Sequence, residues 1–573
     1  MTEPIQITSL DQYFADFIKR IDCNPCEELW LAAALASNAV SRGDTCFAMA
    51  SASGKGVLST DQTSHYLEPS EALQWRTALE RCDTVGAPGD YTPLVLDSSG
   101  RLYLYRSWEY ERQVAEGILK RNRRLPVDME KIHSDLNHFF PAADIKEDLQ
   151  REAALKALTR SFSVITGGPG TGKTATVARI LALFIMQSGN IQPDIALAAP
   201  TGKAAMRLRQ SIQLAAERLN LSPEVILCLP NEVSTVHRLL GVKTNGGGFI
   251  HNRNNRLPCD ILVVDEASMV DLPLMAHLFE ALRDDARVIL LGDRDQLASV
   301  EAGAVLADIC VSQDNAAARY SSVTHLTRSY RFGHDSGIGE LSRMINAGES
   351  DAAMGLLLSG GRDDLVWRSL PAGRSFEEAF SVSVRADYDR YLRADSPEKA
   401  LSELESFRVL SPLRSGIYGV ENLNKLCLTA LGLRHNADEQ YYSLMPVLVS
   451  GNNYELGLFN GDTGVVMEYK ERLSVWFNGQ DGGLRHLSPL RLPTHETGFA
   501  MTVHKSQGSE FDKLLLILPD RMSEGLSREL LYTAVTRARR QVEIWGREDV
   551  FRRTVERRTL RSSGLGDRLA GKE

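Results

Sequence analysis

Long hydrophobic runs are absent from the 573-residue sequence. The longest apolar stretches, such as residues 514–518, have the length of a strand, whereas a helix that crosses a bilayer needs ~20 apolar residues. Residues 1–22 mix acidic, basic and aromatic side chains, which is not the pattern of a secretory signal. We therefore expect a cytoplasmic protein that has no membrane partner.

The sequence also has few cysteines that could act together. Eight are scattered along the chain, and only Cys23 and Cys26 form a CxxC pair. A zinc or iron–sulfur site needs further ligands at matching spacing, and Cys46 and Cys82 do not supply a second pair. Reduced thiols in a cytoplasmic protein are the favoured interpretation.

An excess of positive charge is missing as well, because the formal net charge is -9. Non-specific binding of nucleic acid usually rests on clustered lysines and arginines. A general polyanion-binding surface is therefore disfavoured, although a narrow basic channel is compatible with this charge. Basic residues do concentrate near the C-terminal end of the chain. Composition alone favours a solvated helix face over a nucleic-acid-binding site there. These basic residues are Arg537, Arg539, Arg540, Arg552, Arg553, Arg557 and Arg558.

The length and residue patterns predict an α/β protein of several domains. Residues 1–141 contain no nucleotide signature and are predicted to form a separate domain of helices and strands for docking or support. Residues 142–324 alternate buried strands with helices, as in a parallel sheet covered on both faces. Within this unit, the glycine-centred stretch at about 243–257 predicts a β-hairpin.

A second α/β unit is predicted to begin at residue 325. Short strands with turns at residues 445–492 interrupt it and predict a small β-barrel insert, which divides the unit into residues 325–444 and 493–573. The chain after Thr559 is polar, and we expect it to be frayed.

A glycine-rich loop follows the short apolar strand predicted at residues 163–166. Residues 167–174 read GGPGTGKT and fit the pattern GxxxxGK[ST]. The glycines allow backbone N–H groups to surround a polyphosphate, and the helix that follows adds a favourable dipole. Lys173 is predicted to reach the β- and γ-phosphates of ATP, and the Thr174 hydroxyl to bind Mg²⁺. The predicted nucleotide contacts are Gly167, Gly168, Pro169, Gly170, Thr171, Gly172, Lys173, Thr174 and Ala175.

Acidic residues end the predicted strands at 261–264 and 288–291. Asp265 is predicted to hold Mg²⁺, while Glu266 would polarise the attacking water. Acids are also common at helix starts, but the upstream phosphate-binding loop favours hydrolysis. Gln296 follows the next strand and could sense the γ-phosphate, with an ordinary polar loop as the alternative.

Two arginines of the second α/β unit are candidates for stabilising the charge that develops during hydrolysis. Arg331 lies in LTRSYR and Arg537 in YTAVTR. An arginine is most effective when a moving partner supplies it, although surface salt bridges are the alternative for each. If both reach ATP, the nucleotide lies between two α/β domains, and its binding and release would close and open a motor.

A motor must bind the polymer along which it moves. Three polar segments, residues 199–203, 234–237 and 501–508, offer hydroxyl, amide and cationic donors suited to the phosphates of DNA. Each segment alone could be an ordinary loop. The candidate DNA contacts are Pro200, Thr201, Lys203, His237, Thr502, His504, Lys505, Ser506 and Gln507.

Taken in chain order, eight segments resemble motifs I, Ia, Ib, II, III, IV, V and VI of the superfamily 1 helicases. They are GGPGTGKT, APTGKAA, STVHRLLG, VVDEAS, LGDRDQLASVEAGAV, LTRSYRF, MTVHKSQGSEFD and LYTAVTRARR. YRFGHDSGIG and LGLFNGDTG are further similar to the RecD family, the alpha subunits of exodeoxyribonuclease V. The resemblance covers about residues 150–540, and RLYLYRSWEYER extends it more weakly into the first 141 residues.

The resemblance implies a superfamily 1B fold with two RecA-like P-loop domains, an SH3-like insert at 445–492 and a separate α+β N-terminal domain. It implies an ATP-dependent 5′-to-3′ DNA helicase and single-stranded DNA translocase. Its partners would be RecB, RecC and duplex DNA ends, in double-strand break repair by homologous recombination and in degradation of linear DNA. Gln150 would read adenine, residues 243–257 would separate strands, and nuclease activity would exist only in the complex.

Three alternatives remain at the level of sequence. A free-standing RecD-like helicase would share every motif and lack the RecB and RecC partners. A non-translocating P-loop switch or scaffold would bind nucleotide without DNA-stimulated hydrolysis. A metal-dependent nuclease would need clustered carboxylates, which the sequence does not display.

Overall fold

The chain forms a mixed α/β protein with two parallel sheets and a separate N-terminal domain, which confirms the predicted fold class. Among the described residues, no helix is both long and apolar enough to span a membrane. The computed structural model describes residues 5–52, 56–58, 64–66, 71–140, 148–189, 192–219, 221–243, 247–314, 321–333, 335–433, 440–453, 455–479 and 483–571.

The first part of the chain packs helices on two small sheets. Helix α1 begins at a capping box in which the Asp11 carboxylate accepts the Thr8 N–H at 2.8 Å. The elements are β1 (Ile5–Gln6), α1 (Ser9–Ile21), α2 (Glu27–Ser41), β2 (Phe47–Ala48), β3 (Gly56–Leu58), β4 (Ser64–Tyr66), α3 (Glu71–Leu79), β5 (Val85–Gly86), β6 (Leu94–Leu96), β7 (Arg101–Leu104), α4 (Tyr105–Arg121) and α5 (Met129–Phe139). The sheet orders are β1-β3-β4 and β2-β7-β6-β5.

The first large sheet has six parallel strands in the order β10-β9-β11-β12-β8-β13. Strands such as β11 are apolar throughout because helices cover both faces of the sheet. The elements are α6 (Leu149–Thr159), β8 (Phe162–Gly167), α7 (Lys173–Gln187), β9 (Ile195–Ala199), α8 (Gly202–Arg218), α9 (Pro223–Cys228), β10 (Val233–Thr235), α10 (Val236–Leu240), β11 (Ile261–Val264), α11 (Leu272–Ala281), β12 (Arg287–Gly292), α12 (Val305–Asp314) and β13 (Val323–Leu326). The carboxyl ends of β8, β11 and β12 share one edge, where ligands of such sheets bind.

The second large sheet has five parallel strands in the order β14-β23-β22-β15-β21. Its helices are α13 (Gly337–Ala347), α14 (Ser350–Ser359), α15 (Arg374–Asp387), α16 (Asp389–Leu392), α17 (Pro397–Ser406), α18 (Val420–Ala430), α19 (Arg528–Val535) and α20 (Glu548–Glu556). Its strands are β14 (Leu365–Ser369), β15 (Phe407–Ser411), β21 (Ala500–Thr502), β22 (Phe511–Ile517) and β23 (Ala538–Gly546).

A five-stranded antiparallel sheet interrupts the second unit, in the order β19-β18-β17-β16-β20. Its strands are β16 (Pro446–Val449), β17 (Thr463–Tyr469), β18 (Arg472–Asn478), β19 (Leu484–Leu487) and β20 (His495–Thr497). Its own apolar core includes Val447, Val466 and Phe477. Only two residues separate β20 from β21, and Val465 of the insert packs in the core of the second unit with Val409 and Ala500.

The glycine-centred stretch predicted as a β-hairpin contains no regular strand among its described residues. It has two isolated bridges, Val242–Phe249 and Asn252–Asn255, while residues 244–246 lie outside the described part of the chain. Phe249 packs edge-on against His277 of α11, with ring centroids 5.2 Å apart. Backbone hydrogen bonds, such as the one from the Ile250 N–H to the Gly241 carbonyl at 2.7 Å, and side-chain packing against the first parallel domain together hold the base of this segment.

The C-terminal end differs from the sequence expectation. A short helix, α21 (Leu565–Leu569), follows the polar stretch and lies in the apolar core shared by α4 and the first parallel domain. The prediction of a frayed end after Thr559 was therefore wrong for the described residues, because Leu565 is fully buried. Long-range packing, which local polarity does not report, supplies the stability of this segment.

Candidate active site

The glycine-rich loop connects β8 to α7 and has the geometry of a phosphate cradle. Gly170 and Gly172 adopt φ angles of 75° and 83°, which glycine reaches without strain. The Lys173 ammonium donates hydrogen bonds to the Gly167 and Gly168 carbonyls at 2.5 and 3.2 Å. The ammonium thus lies inside the loop, where a polyphosphate could replace these two carbonyls as its partner.

Gln150 of α6 lies beside the same loop. Its side-chain amide donates to the Thr171 carbonyl at 3.1 Å, and its oxygen accepts from Arg179 at 3.2 Å. Both contacts fix the orientation of the amide. Contact with adenine, which the resemblance implies, stays a prediction.

Two adjacent carboxylates follow β11. Burial, followed by the neighbouring charge of Glu266, raises the pKa of Asp265, and Glu266 adopts a left-handed φ of 50°. Two adjacent, half-buried carboxylates favour a cation, and Thr174 lines the same cavity. No group of three metal-ligating side chains occurs among the described residues, and Mg²⁺ commonly needs only one or two carboxylates when phosphates and water complete its shell. The residues therefore fit Mg²⁺ bound together with a nucleotide.

Gln296 lies between the nucleotide loop and the second α/β unit. The Gln296 amide donates to the Asp293 carboxylate at 3.2 Å, and this carboxylate also accepts the Tyr532 hydroxyl at 2.8 Å. Tyr532 lies on α19 of the second unit, so the hydrogen bond joins the two units. A change at Gln296 can thereby reach α19 through one shared carboxylate.

A cluster of arginines surrounds Glu510, which follows β21 and precedes β22. Arg331 donates to its carboxylate at 2.6 Å, while Arg539 and Arg207 lie 3.2 and 3.9 Å from it. Although burial opposes ionisation, the Arg331 and Arg207 guanidinium groups lower the pKa of Glu510 to about 2. Arg537 is buried nearby and donates to the Thr533 carbonyl at 3.1 Å.

These groups meet in one cavity of about 590 Å³ between the two α/β units. Both units supply walls, so the site is a cleft between domains. The predicted residues that line it are Pro169, Gly170, Thr171, Gly172, Lys173, Thr174, Ala175, Asp265, Glu266, Gln296, Arg331 and Arg537.

A second cavity, of about 450 Å³, lies between the same units and the antiparallel insert. We call it the track cavity. Six of the predicted DNA contacts line it, together with the exposed apolar side chain of Val300. The six are Thr201, Lys203, Thr502, His504, Lys505 and Gln507.

Two lysines of the track cavity are in different electrostatic environments. Burial, followed by the neighbouring charge of Arg207, lowers the pKa of Lys203 to about 8. Lys505 is paired with Glu496 of β20 at 2.7 Å. The charged form of Lys203 is therefore disfavoured, whereas the charge of Lys505 is balanced by the Glu496 carboxylate.

Three of the predicted DNA contacts are not among the residues that line the track cavity, namely Pro200, His237 and Ser506. Ser506 is fully buried and its hydroxyl donates to the Val503 carbonyl at 2.7 Å. The His237 ring instead packs against Phe249, at 6.1 Å between centroids.

Several residues of these cavities were not predicted from the sequence. The Tyr330 N–H donates to the Gly170 carbonyl at 2.7 Å, so its exposed ring lies beside the phosphate loop. Glu510 and Tyr532 link the two units, as described above. All three occur inside segments that resemble helicase motifs, but residue type alone did not distinguish them from their neighbours.

Family models match three parts of the chain. A model described as the N-terminal domain of RecBCD enzyme subunit RecD matches residues 4–103, and a model described as an AAA domain matches residues 150–302. A model described as a UvrD-like helicase C-terminal domain matches residues 497–544.

Curated relatives extend the similarity over almost the whole chain. A RecBCD enzyme subunit RecD from Haemophilus influenzae is 34% identical over 98% of this chain and 97% of its own length. One from Mycobacterium tuberculosis is 40% identical over 95% of this chain and 91% of its own length. An ATP-dependent RecD2 DNA helicase from Deinococcus radiodurans is 32% identical over 71% of this chain and 50% of its own length.

Proposed function

The chain belongs to the family of RecBCD enzyme RecD subunits, and from this premise we propose that it is the 5′-to-3′ helicase subunit of a RecBCD complex. In this complex it would act in double-strand break repair by homologous recombination and in degradation of linear DNA. The observation that supports the proposal best is the nucleotide cleft between two parallel domains, with the track cavity formed by the same domains.

The cleft would hydrolyse ATP with Mg²⁺ held by Asp265 and Thr174, and the metal would neutralise phosphate charge. Lys173 would bind the β- and γ-phosphates, and Glu266 would accept a hydrogen bond from the attacking water. Arg331 and Arg537 would stabilise the charge on the transferring phosphoryl group. Gln296 would report whether the γ-phosphate is present.

Domain closure would couple this chemistry to movement. Glu510 binds Arg331 within the second unit and lies 3.9 Å from Arg207 of the first, while Tyr532 links α19 to Asp293. Because the Arg207 and Tyr532 contacts cross the cleft, a change in the phosphate charge beside them would alter the balance between open and closed arrangements. Single-stranded DNA would be advanced along Thr201 and Thr502 during this cycle.

The proposed partners are RecB and RecC, with docking through the N-terminal domain. Helix α1 carries an apolar stripe at a spacing of three or four residues, which we call the α1 stripe. It consists of Leu10, Tyr13, Phe17 and Ile21, with Leu10 69% and Tyr13 73% exposed. A contiguous exposed apolar face of this kind is typical of an interface, and RecC is the partner to which we assign it. The complex would act in the cytoplasm.

A free-standing helicase remains the second candidate, because the RecD2 relative is 32% identical over 71% of this chain. The match of residues 4–103 to the RecD N-terminal model favours the subunit over this alternative. Co-purification with RecB and RecC would support the subunit, and an active helicase that binds neither would support the free-standing enzyme.

The first test is the ATPase rate with and without single-stranded DNA, for the chain alone and mixed with RecB and RecC. Stimulation by DNA establishes the motor, and forks with only a 5′ or only a 3′ tail establish its direction. Absence of stimulation in both settings would favour a nucleotide-binding scaffold.

Lys173→Gln tests the assignment of the cleft. We expect this variant to lose ATPase and unwinding activity by at least ~100-fold, because the γ-phosphate loses its cation. Its melting temperature should stay near that of the wild type, since the ammonium contacts only the loop carbonyls. Lys399→Gln, which changes an exposed ion pair with Asp395, is the matched control. Normal unwinding by Lys173→Gln would contradict the proposal.

A further inference from the structure

The C-terminal segment, residues 557–571, leaves the second parallel domain and crosses to the first. Its beginning is tied to α19, where the Thr559 N–H donates to the Glu529 carboxylate at 3.0 Å. Its end, α21, packs in the core with α4 and α12. The segment therefore bridges the two halves of the motor on a route separate from the nucleotide cleft.

Arg561, in the middle of this segment, binds a single loop of the first parallel domain. Its guanidinium donates to the Glu301 and Gly303 carbonyls at 2.8 and 2.9 Å and to the Ser299 carbonyl at 2.6 Å. A cationic donor forms stronger hydrogen bonds than a neutral one. Three such bonds to residues 299–303 add to the backbone hydrogen bonds that Ala302 and Gly303 make with Leu272 and Gly43.

The three residues that follow Arg561 are anchored to the N-terminal part of the chain. The Ser562 N–H donates to the Asp44 carboxylate at 2.7 Å. The Gly564 N–H and the Ser563 hydroxyl donate to the fully buried carboxylate of Glu111 at 3.1 and 3.0 Å. A Cβ atom at Gly564 would lie only 2.1 Å from the Tyr103 hydroxyl, so the chain passes here without room for a side chain.

The loop that Arg561 binds connects the two functional cavities. Gln296, which lies three residues before the loop at 299–303, lines the nucleotide cavity. Val300, within the loop, lines the track cavity and is 75% exposed. Just before the loop, Leu297 bonds to the second unit through Thr533 at 2.9 Å and Gln507 at 2.8 Å. A movement of Gln296 thus has two routes to the track cavity, the direct contact of Leu297 with Gln507 and the chain that leads to Val300 through the residues that Arg561 anchors.

We propose that Arg561 is a positioning residue that fixes residues 299–303, so that the nucleotide state at Gln296 is transmitted to Val300 in the track cavity. Coupling between two sites is carried by packed and hydrogen-bonded groups that move together, and a loop bound at three carbonyls moves with the segment that binds it more closely than an unbound loop does. The inference deepens the proposed helicase function and rests on it.

Arg561→Gln tests the inference in the full-length chain, alone and in the complex with RecB and RecC. The readout is the ratio of the DNA-stimulated to the basal ATPase rate, which does not depend on the active fraction of a preparation. We expect the ratio, and the base pairs unwound per ATP, to fall about fivefold or more. The matched control is Arg558→Gln, three residues earlier on the same segment, where the side chain is exposed and lies 3.9 Å from Glu529. This control should keep the wild-type ratio.

Hydrogen exchange supplies a readout that distinguishes positioning from general destabilisation. Arg561→Gln should speed exchange in a peptide covering residues 297–304, while peptides of the second parallel sheet exchange as in the wild type. Arg561→Lys keeps the charge but has fewer directed donors, so its ATPase ratio should lie between those of the wild type and Arg561→Gln. If Arg561→Gln does not fold, the ratio of Arg561→Lys tests the inference in its place.

A wild-type ratio in Arg561→Gln, or a lowered ratio with unchanged exchange of the loop, would overturn the inference. A wild-type chain that DNA does not stimulate would instead overturn the proposed function itself. The two failures are therefore separable in one set of measurements.

Discussion

Lys203 lies in the wall of the track cavity, where burial and Arg207 lower its pKa to about 8. The side chain is charged below this pH and loses its charge as the pH rises through 8. A DNA phosphate would restore the ordinary, higher pKa, so binding above pH 8 requires uptake of a proton.

We expect the affinity for single-stranded DNA to fall about tenfold between pH 7 and pH 9 at constant salt. Fluorescence anisotropy with a labelled oligonucleotide measures this slope. Lys203→Arg, which stays charged over the whole range, should remove most of it. An equal slope in both proteins would show that Lys203 does not contact phosphate.

Glu510 is the counter-ion of the arginine cluster, with Arg331 at 2.6 Å and Arg539 at 3.2 Å. Glu510→Gln makes the nucleotide cavity more positive, so a non-hydrolysable ATP analogue should bind about fivefold more tightly at low salt. The kcat should fall, because Arg331 loses the partner that orients it. Calorimetry measures the first effect and steady-state ATPase the second.

The control for this charge removal is Asp512→Asn. Its carboxylate lies 3.8 Å from Arg539 but does not line the nucleotide cavity. Analogue affinity should be unchanged in this variant. Weaker binding of the analogue by Glu510→Gln would contradict the role of Glu510 as a competitor for the arginines.

The phosphate loop and the acids after β11 and β12 could be predicted at the residue scale because the required residue types occupy a fixed spacing along the chain. Glu510 could not, since its importance arises from arginines contributed by three distant segments, represented by Arg207, Arg331 and Arg537. A carboxylate within a polar stretch has no local signal that records how many cations will surround it.

At the scale of elements, the apolar strands of both parallel sheets were predictable because strands covered on both faces are nearly continuous runs of apolar residues. The C-terminal helix α21 was not. Its few apolar residues become buried only because Glu111 and Tyr103, more than 400 residues earlier, provide a fitted surface for the turn before it. The described residues of the stretch at 242–255 form only two isolated bridges, and the packing of the Phe249 ring on His277, 5.2 Å between centroids, is a long-range contact that the local sequence does not report.

The α1 stripe is largely exposed, and only the Arg20 guanidinium, 5.8 Å from the centroid of the Phe17 ring, is recorded over one of its rings among the described residues. Replacing Leu10 and Phe17 together by serine should weaken binding to RecC about tenfold or more, since apolar anchors dominate interfaces. DNA-stimulated ATPase of the chain alone should not change, because these side chains are already exposed. Surface plasmon resonance against RecC measures the binding.

Val382→Ser on α15 is the control for this substitution, because Val382 is also a largely exposed apolar residue and belongs to another domain. It should bind RecC as the wild type does. Unaltered binding by the double variant of α1 would remove the α1 stripe from the interface and would leave RecC docking to another face of the N-terminal domain.

At the scale of the whole molecule, three bodies enclose the track cavity. The first parallel domain contributes Thr201, the second contributes Thr502, and the antiparallel insert contributes Asn460. The insert also touches the first domain directly, since a Cβ atom at Gly202 would lie 2.4 Å from the Phe459 ring. The contact between Phe459 and Gly202 thus closes one side of the track cavity, and we expect that it must persist for a DNA strand to stay enclosed.

Phe459→Ala tests whether this contact retains DNA. The ring is buried against Gly202, and loss of a buried phenylalanine costs about 3–5 kcal/mol as an upper bound on the contact. We expect the lifetime on single-stranded DNA and the length unwound per binding event to fall about tenfold, because the enclosure opens more often. The KM for ATP should not change, since Phe459 lies outside the nucleotide cavity. Leu490→Ala, an exposed position of the same insert, should behave as the wild type in single-turnover unwinding with a DNA trap. Wild-type processivity in Phe459→Ala would mean that the insert borders the track without holding the strand in it.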